Sequence, residues 1–159
     1  MMPRILHVLD HSLPLHSGYT FRTRAIMKAQ VADGHEVRGI TGLRQDSVAA
    51  PDAQSETHAG LTFHRTPGTP SRRTGWREWR EIAALAAAIG KVCDEWRPDV
   101  LHAHSPALCG LAAARVAKAR GIPLVYEIRA FWEDAASGNG TGGDGTRISQ
   151  FLRANGSRR

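Results

Sequence analysis

Five short apolar runs, spaced by stretches of helical period, constrain this 159-residue chain more than any other feature. RILHVL (4–9), HEVRGIT (35–41), GLTFHRT (60–66), DVLHAH (99–104) and IPLVYEI (122–128) have strand length and are bounded by glycine, proline or aspartate. Between them, YTFRTRAIMKAQVADG (19–34), WREWREIAALAAAIGKVCDEW (76–96) and ALCGLAAARVAKARG (107–121) read as helices. Gly34 and Gly121 are C-terminal stops, and Pro98 ends the middle helix. The strands are near-continuous apolar runs rather than alternating ones, which suits a parallel sheet buried on both faces. The order β-α-β-β-α-β-α-β therefore predicts an α/β fold with a doubly wound parallel sheet.

The helical patterns also predict inward faces. Ala25, Ile26, Ala29 and Ala32 share a side of the first helix. In the second, Trp79, Ile82, Leu85, Ala86, Ile89, Val92, Cys93 and Trp96 recur at three- and four-residue spacing. In the third the inward set is Leu108, Leu111, Ala112, Val116 and Ala119. The pattern breaks after FWEDAA (131–136). SGNGTGGDGTR (137–147) is dominated by glycine and offers nothing to a core, so residues 137–159 read as a flexible tail, with ISQFL (148–152) adding at most one helical turn.

Several function classes lose support at this level. No apolar run approaches the roughly 20 residues of a membrane span. The N-terminal MMPRILHVLDHS is too short for a signal peptide and has no small-residue cleavage site, so the expected location is cytoplasmic. Cys93 and Cys109 form no CxxC pair and read as small buried side chains. The net charge of +6 favours anionic or phosphorylated partners. The arginines are dispersed, however, with RR at 72–73 and 158–159 alone, so no specific nucleic-acid binding is expected.

In open parallel sheets ligands bind beyond the carboxyl ends of the strands, where strand order reverses. That singles out the loops at 10–18, 102–106 and 128–134, which carry Asp10, His11, His16, Ser17, Gly18, His104, Ser105, Glu127 and Arg129. Ser17-Gly18 precedes a helix start. It is either an ordinary serine cap or a place where unpaired N–H groups meet a phosphate or sugar oxygen. The loop matches neither GxGxxG nor a Walker pattern.

His102 and His104 lie two apart and so share a strand face. His102 reads as packed within the strand, and His104 as a ring at the strand end able to face a cleft. A metal site would need a third ligand, for which His11 and His16 are candidates. With no HExxH and no carboxylate companion nearby in sequence, no metal is expected. A nucleophilic Cys109 with His104 would need the cysteine to leave its helical face. Glu127 and Arg129, also two apart, either pair with each other or bind a substrate.

RILHVLDHSLPLHSGYTFRTRAI, GHEV and PDVLHAHSPALCGLAAARVAKARGIPLVYEIRAFWED together resemble the N-terminal domain of family-4 retaining glycosyltransferases, especially the exosortase-associated enzymes of exopolysaccharide gene clusters. The likeness covers about residues 3–136. It implies a GT-B enzyme of two Rossmann-like domains, whose first half is the acceptor side and whose second half binds the nucleotide-sugar donor. It also implies transfer with retention and no bound metal or other cofactor. Carried over, Ser17 and Gly18, with His16 beside them, would face the donor phosphates. His104 would line the cleft near the reacting sugar next to Ser105, and Glu127 and Arg129 would lie on the acceptor side.

The resemblance places the Rossmann-like domain at 1–136 and the tail at 137–159, with no donor-binding domain following. A chain of this kind would be inactive without a separate donor-binding half. The acceptor would be a saccharide, lipid-linked or free, with peripheral contact at the inner membrane. The alternative is a non-catalytic Rossmann-like module that binds a nucleotide or glycan.

Overall fold

A computed structural model describes residues 2–45, 54–70 and 76–129. The chain divides into two units, Met1–Glu127 and Ile128–Arg159. The fold below is that of the first unit. In the second, Ile128 is exposed and Arg129 half-buried; the expected FWEDAA segment with Trp132 and the tail at 137–159 lie outside the described residues.

The elements are β1 (Arg4–Leu9), α1 (Gly18–Ala32), β2 (Glu36–Thr41), β3 (Ser55–His58), β4 (Leu61–Arg65), α2 (Arg77–Trp96), β5 (Val100–His104), α3 (Ala107–Arg120) and β6 (Leu124–Glu127). They form a six-stranded sheet in the order β3-β4-β2-β1-β5-β6, parallel except for β3. This is the expected α/β fold, a Rossmann-like sheet with helices on both faces. Strand order reverses between β1 and β5, which creates the switch point.

β3 is an addition to the sequence reading. Its residues, SETH, carry no apolar run. Its hairpin with β4 turns on Ala59 and Gly60, with φ of 53° and 78°, the conformation of a two-residue type I′ turn. The short, polar edge strand also shields the sheet from further pairing.

The two faces of the sheet differ. On one, Leu6, Val8, Ile40, Leu101 and Ala103 pack against Ile82, Leu85, Ile89 and Val92 of α2 and Leu108, Ala112 and Val116 of α3. At about 25 cal/mol per Å2 of apolar surface removed from water, this layer is the main source of stability. On the other face, α1 covers a smaller apolar group of Leu9, Leu13, Met27, Val37, Leu61 and Phe63.

Three inward faces need correction. α1 buries Thr20, Thr23 and Met27, whereas Ala25, Ala29 and Ala32 are exposed. Its inward side carries polar residues because much of the sheet beneath it is polar. Trp79 stands 58% exposed, because α2 enters the core at Glu81 and Ile82. Leu111 and Ala119 are exposed too, and Cys109, Ala113 and Ala117 complete the buried face of α3. No helix among the described residues is long and apolar enough to cross a membrane.

Candidate functional site

Register builds the site. His7 of β1 pairs with His102 of β5, and His104 of β5 pairs with Glu127 of β6. Side chains alternate along a strand, so these four project from one sheet face, the one α1 covers. His7 Nδ1 lies 2.8 Å from His104 Nε2, and His7 Nε2 lies 2.7 Å from Gln30 Oε1 of α1. His104 Nδ1 is 3.0 Å from Glu127 Oε2, and His102 Nε2 is 3.4 Å from the same oxygen. Arg22 of α1 reaches the other carboxylate oxygen at 3.1 Å. The three imidazoles are grouped with ring centroids 4.3–5.1 Å apart.

Exposure reverses the sequence expectation for the two β5 histidines. His104 is 0% exposed, and His102 keeps 15% of its side chain in solvent. His104 is deeper because His7 and Glu127 flank both of its nitrogens. Glu127 binds these two histidines and Arg22. Ser105 is likewise drawn into the fold. Its N–H and its hydroxyl both donate to the Glu127 carbonyl, at 3.0 and 3.2 Å, tying β5 to β6.

The β1–α1 loop is a second, adjoining cluster. Ser17 caps α1, its Oγ accepting from Thr20 N–H at 3.1 Å, so the cap reading holds. His11 Nε2 is 2.9 Å from the same hydroxyl, and His11 Nδ1 is 3.1 Å from Asp10 Oδ2. His11 stacks obliquely on Tyr19, whose hydroxyl accepts from Asp10 N–H. His16 is exposed against Phe21. Gly18 is exposed, and a Cβ there would meet nothing within 4 Å, which leaves room for a ligand at the helix start.

Arg65 holds this loop from below. Its side chain is 7% exposed and donates to Ser12 Oγ at 2.7 Å and the Leu13 carbonyl at 2.6 Å, while Glu56 neutralises it at 2.9 Å. Desolvation opposes the Glu56 charge, but hydrogen bonds from Arg65 and His58 outweigh it and hold the carboxyl below its usual range.

Cys109 is fully buried, and desolvation pushes its thiol far above the ordinary cysteine range, which removes it as a nucleophile. Neither His11 nor His16 joins His102 and His104. The third histidine is His7, together with Gln30 and Arg22, none of which sequence reasoning singled out. The signal was present: His7 is the one polar side chain within the apolar run ILHVL, and its face of β1 also carries Ile5 and Leu9.

Residues 17–158 match the model of the glycosyl transferase 4-like domain, a span that runs past residue 136, where the likeness is expected to stop. No curated protein matches the chain. Among solved structures, sucrose-phosphate synthase from Thermosynechococcus elongatus is similar with a TM-score of 0.63 and 11% identity, over 85% of this chain and 35% of that one. The calicheamicin glycosyltransferase is similar at 0.56 and 12%, over 95% and 41%. The C-terminal domain of a hydrogenase from Pyrococcus furiosus is similar at 0.52 and 11%, over 79% and 90%. Such likenesses speak for the fold alone, which unrelated chemistries share. The chain thus spans about a third of the sucrose-phosphate synthase. The family match covers most of its residues, and the chain belongs to the glycosyl transferase 4-like domain family.

Proposed function

We propose that this chain is the acceptor-side half of a GT-B glycosyltransferase, one that passes a sugar from a nucleotide-sugar donor to a saccharide or lipid-linked acceptor with retention. The observation that carries this reading is that the Ser17–Gly18 helix start follows β1 and the His104–Glu127 pair ends β5 and β6, on the carboxyl side of the switch point, with Arg22 of α1 paired to Glu127. A helix N-terminus suits donor phosphates, and the open space at Gly18 lets them approach the backbone. Glu127 and Arg22 offer charge-assisted contacts to sugar hydroxyls. His16 and Ser105 extend the binding surface in this reading. His104 reaches a sugar hydroxyl or phosphate by exchanging its His7 contact for the substrate. Exopolysaccharide synthesis at the cytoplasmic face of the inner membrane, as in the exosortase-associated enzymes, is the setting proposed. The exposed Trp76 and Trp79, beside Arg77 and Arg80, suit an anionic membrane surface.

Transition-state stabilisation needs groups on both sides of the reacting centre. Turnover therefore requires a donor-binding half. The test is calorimetric titration with UDP- and GDP-sugars, with the chain alone and with a co-expressed donor-binding domain. Turnover in the mixture and none with the chain alone supports the proposal. Binding by this chain alone, with no turnover in the mixture, favours the non-catalytic nucleotide- or glycan-binding module.

A further inference from the structure

Two neutral imidazoles at the histidine cluster face each other with conflicting hydrogen positions. Gln30 Oε1 can only accept, so the His7 Nε2 facing it at 2.7 Å carries hydrogen. The Glu127 carboxylate also accepts, so the His104 Nδ1 facing it at 3.0 Å carries hydrogen. A neutral imidazole has one N–H, which makes each remaining nitrogen a lone pair. Those two lone pairs, on His7 Nδ1 and His104 Nε2, point at each other across 2.8 Å inside the protein. With both rings neutral and Gln30 so oriented they repel, and a cation between them removes the repulsion.

A third imidazole stands beside them. His7, His102 and His104 each bring a ring nitrogen to within 4.8 Å of the others. We propose that this cluster binds a single divalent transition-metal ion of the zinc class, with these three histidines as ligands. Imidazole nitrogen is the donor such ions select, whereas magnesium and calcium take oxygen. The supporting contacts are those of a metal site: Gln30 and Glu127 hold the outer N–H groups of two ligands, which fixes the tautomer and orients the lone pairs inward.

Zn–N bonds of about 2.0 Å at tetrahedral angles set ligand nitrogens about 3.3 Å apart. The His7–His104 contact thus opens by about half an ångström on loading. Glu127 offsets the charge, and the partly exposed His102 gives the ion its way in and a fourth position for water. The ion braces β1 against β5 and occupies the His104 nitrogen that substrate would otherwise reach. It is a structural or blocking ion, not a participant in transfer. The assignment stands apart from the glycosyltransferase reading, since it is tested by metal uptake with no turnover.

Two arrangements satisfy the cluster without a metal ion. With its amide turned, Gln30 donates to His7 Nε2, and His7 donates onward from Nδ1 to His104; or His104, carrying hydrogen on both nitrogens beside the Glu127 carboxylate, donates from Nε2 to His7 Nδ1. Metal uptake separates both from the metal site. The chain, carrying no affinity tag and stripped with chelator, is titrated with Zn2+ by calorimetry and with Co2+ by visible absorption, with Mg2+ as the control. One equivalent of Zn2+ and the visible bands of tetrahedral Co2+ are expected. His7→Gln and His102→Gln, checked for native circular dichroism, should each weaken uptake at least tenfold, while His58→Gln binds as wild type.

Absence of Zn2+ heat and of Co2+ bands in the wild-type chain overturns the site, whether or not the variants fold. Unchanged uptake in folded His7→Gln and His102→Gln does the same. Nucleotide-sugar binding measured in chelator is independent of all these outcomes, so failure of the metal site leaves the proposed function standing, and the reverse.

Discussion

His104 of β5 and Glu127 of β6 are register neighbours, joined by a 3.0 Å contact from an imidazole that is wholly buried to a carboxylate that is 20% exposed. Glu127 also meets His102 and Arg22, so one carboxylate organises the polar half of the α1 face. Glu127→Leu should cost about 1–3 kcal/mol by urea denaturation, because it strands buried N–H groups. Glu127→Gln, which keeps an acceptor, should cost less. The imidazole Nδ1–H resonance of His104 should be lost in the leucine variant and retained in the glutamine one.

Gln30 tests which side of α1 faces the sheet. Gln30→Leu removes the partner of a buried His7 nitrogen and should destabilise by about 1–3 kcal/mol. Ala25→Leu lies on the exposed side and should stay within about 0.5 kcal/mol. Equal effects in denaturant titrations would place the alanine side inward after all.

Two glycines should respond in opposite ways. A Cβ at Gly39 would sit 2.6 Å from Phe63 Cδ1, so Gly39→Ala should cost about 1–3 kcal/mol through overpacking. Gly18→Ala meets open space at a helix start and should leave the melting temperature unchanged or raised. On the proposed function, Gly18→Ala nonetheless weakens nucleotide-sugar binding, measured by calorimetry.

His64 supplies a pH dependence. Burial, then the nearby Arg38 charge, lowers its pKa below the ordinary value of 6.5, with Glu95 opposing. The folded state therefore disfavours the imidazolium, and the unfolded chain binds the proton more readily. Its contribution is intact above the unfolded pKa and declines as pH falls below about 6.5 toward the folded pKa. Denaturation midpoints measured from pH 7.5 to 5 should fall less steeply in His64→Gln than in wild type.

Arg65 carries the β1–α1 loop. Arg65→Met leaves Glu56 buried without its guanidinium and releases Ser12 and the Leu13 carbonyl. The loss should be about 3–5 kcal/mol by chemical denaturation. Arg65→Met with Glu56→Leu should recover part of it, because no unpaired charge remains.

Much of this molecule was legible in its sequence because the relevant signals are local. Apolar runs such as RILHVL and DVLHAH mark strands, Ser17 caps a helix through its own third neighbour, and Gly121 ends one in the left-handed conformation, with φ of 66°. These depend on residues a few positions apart, and they sufficed for the parallel α/β class and for placing candidate residues at the strand ends. The polar hairpin strand Ser55–His58 escaped because its pairing with β4 rests on turn geometry and not on an apolar pattern.

Only the tertiary structure decided which histidines meet. His7 and His104 are 97 residues apart, and parallel register between β1 and β5 brings them to 2.8 Å. The inward face of α1 followed from the same cause. A helix lying over His7, His102, His104 and Glu127 must offer Gln30 and Arg22 to buried polar groups, so its alanines face outward against the rule of apolar residues inside.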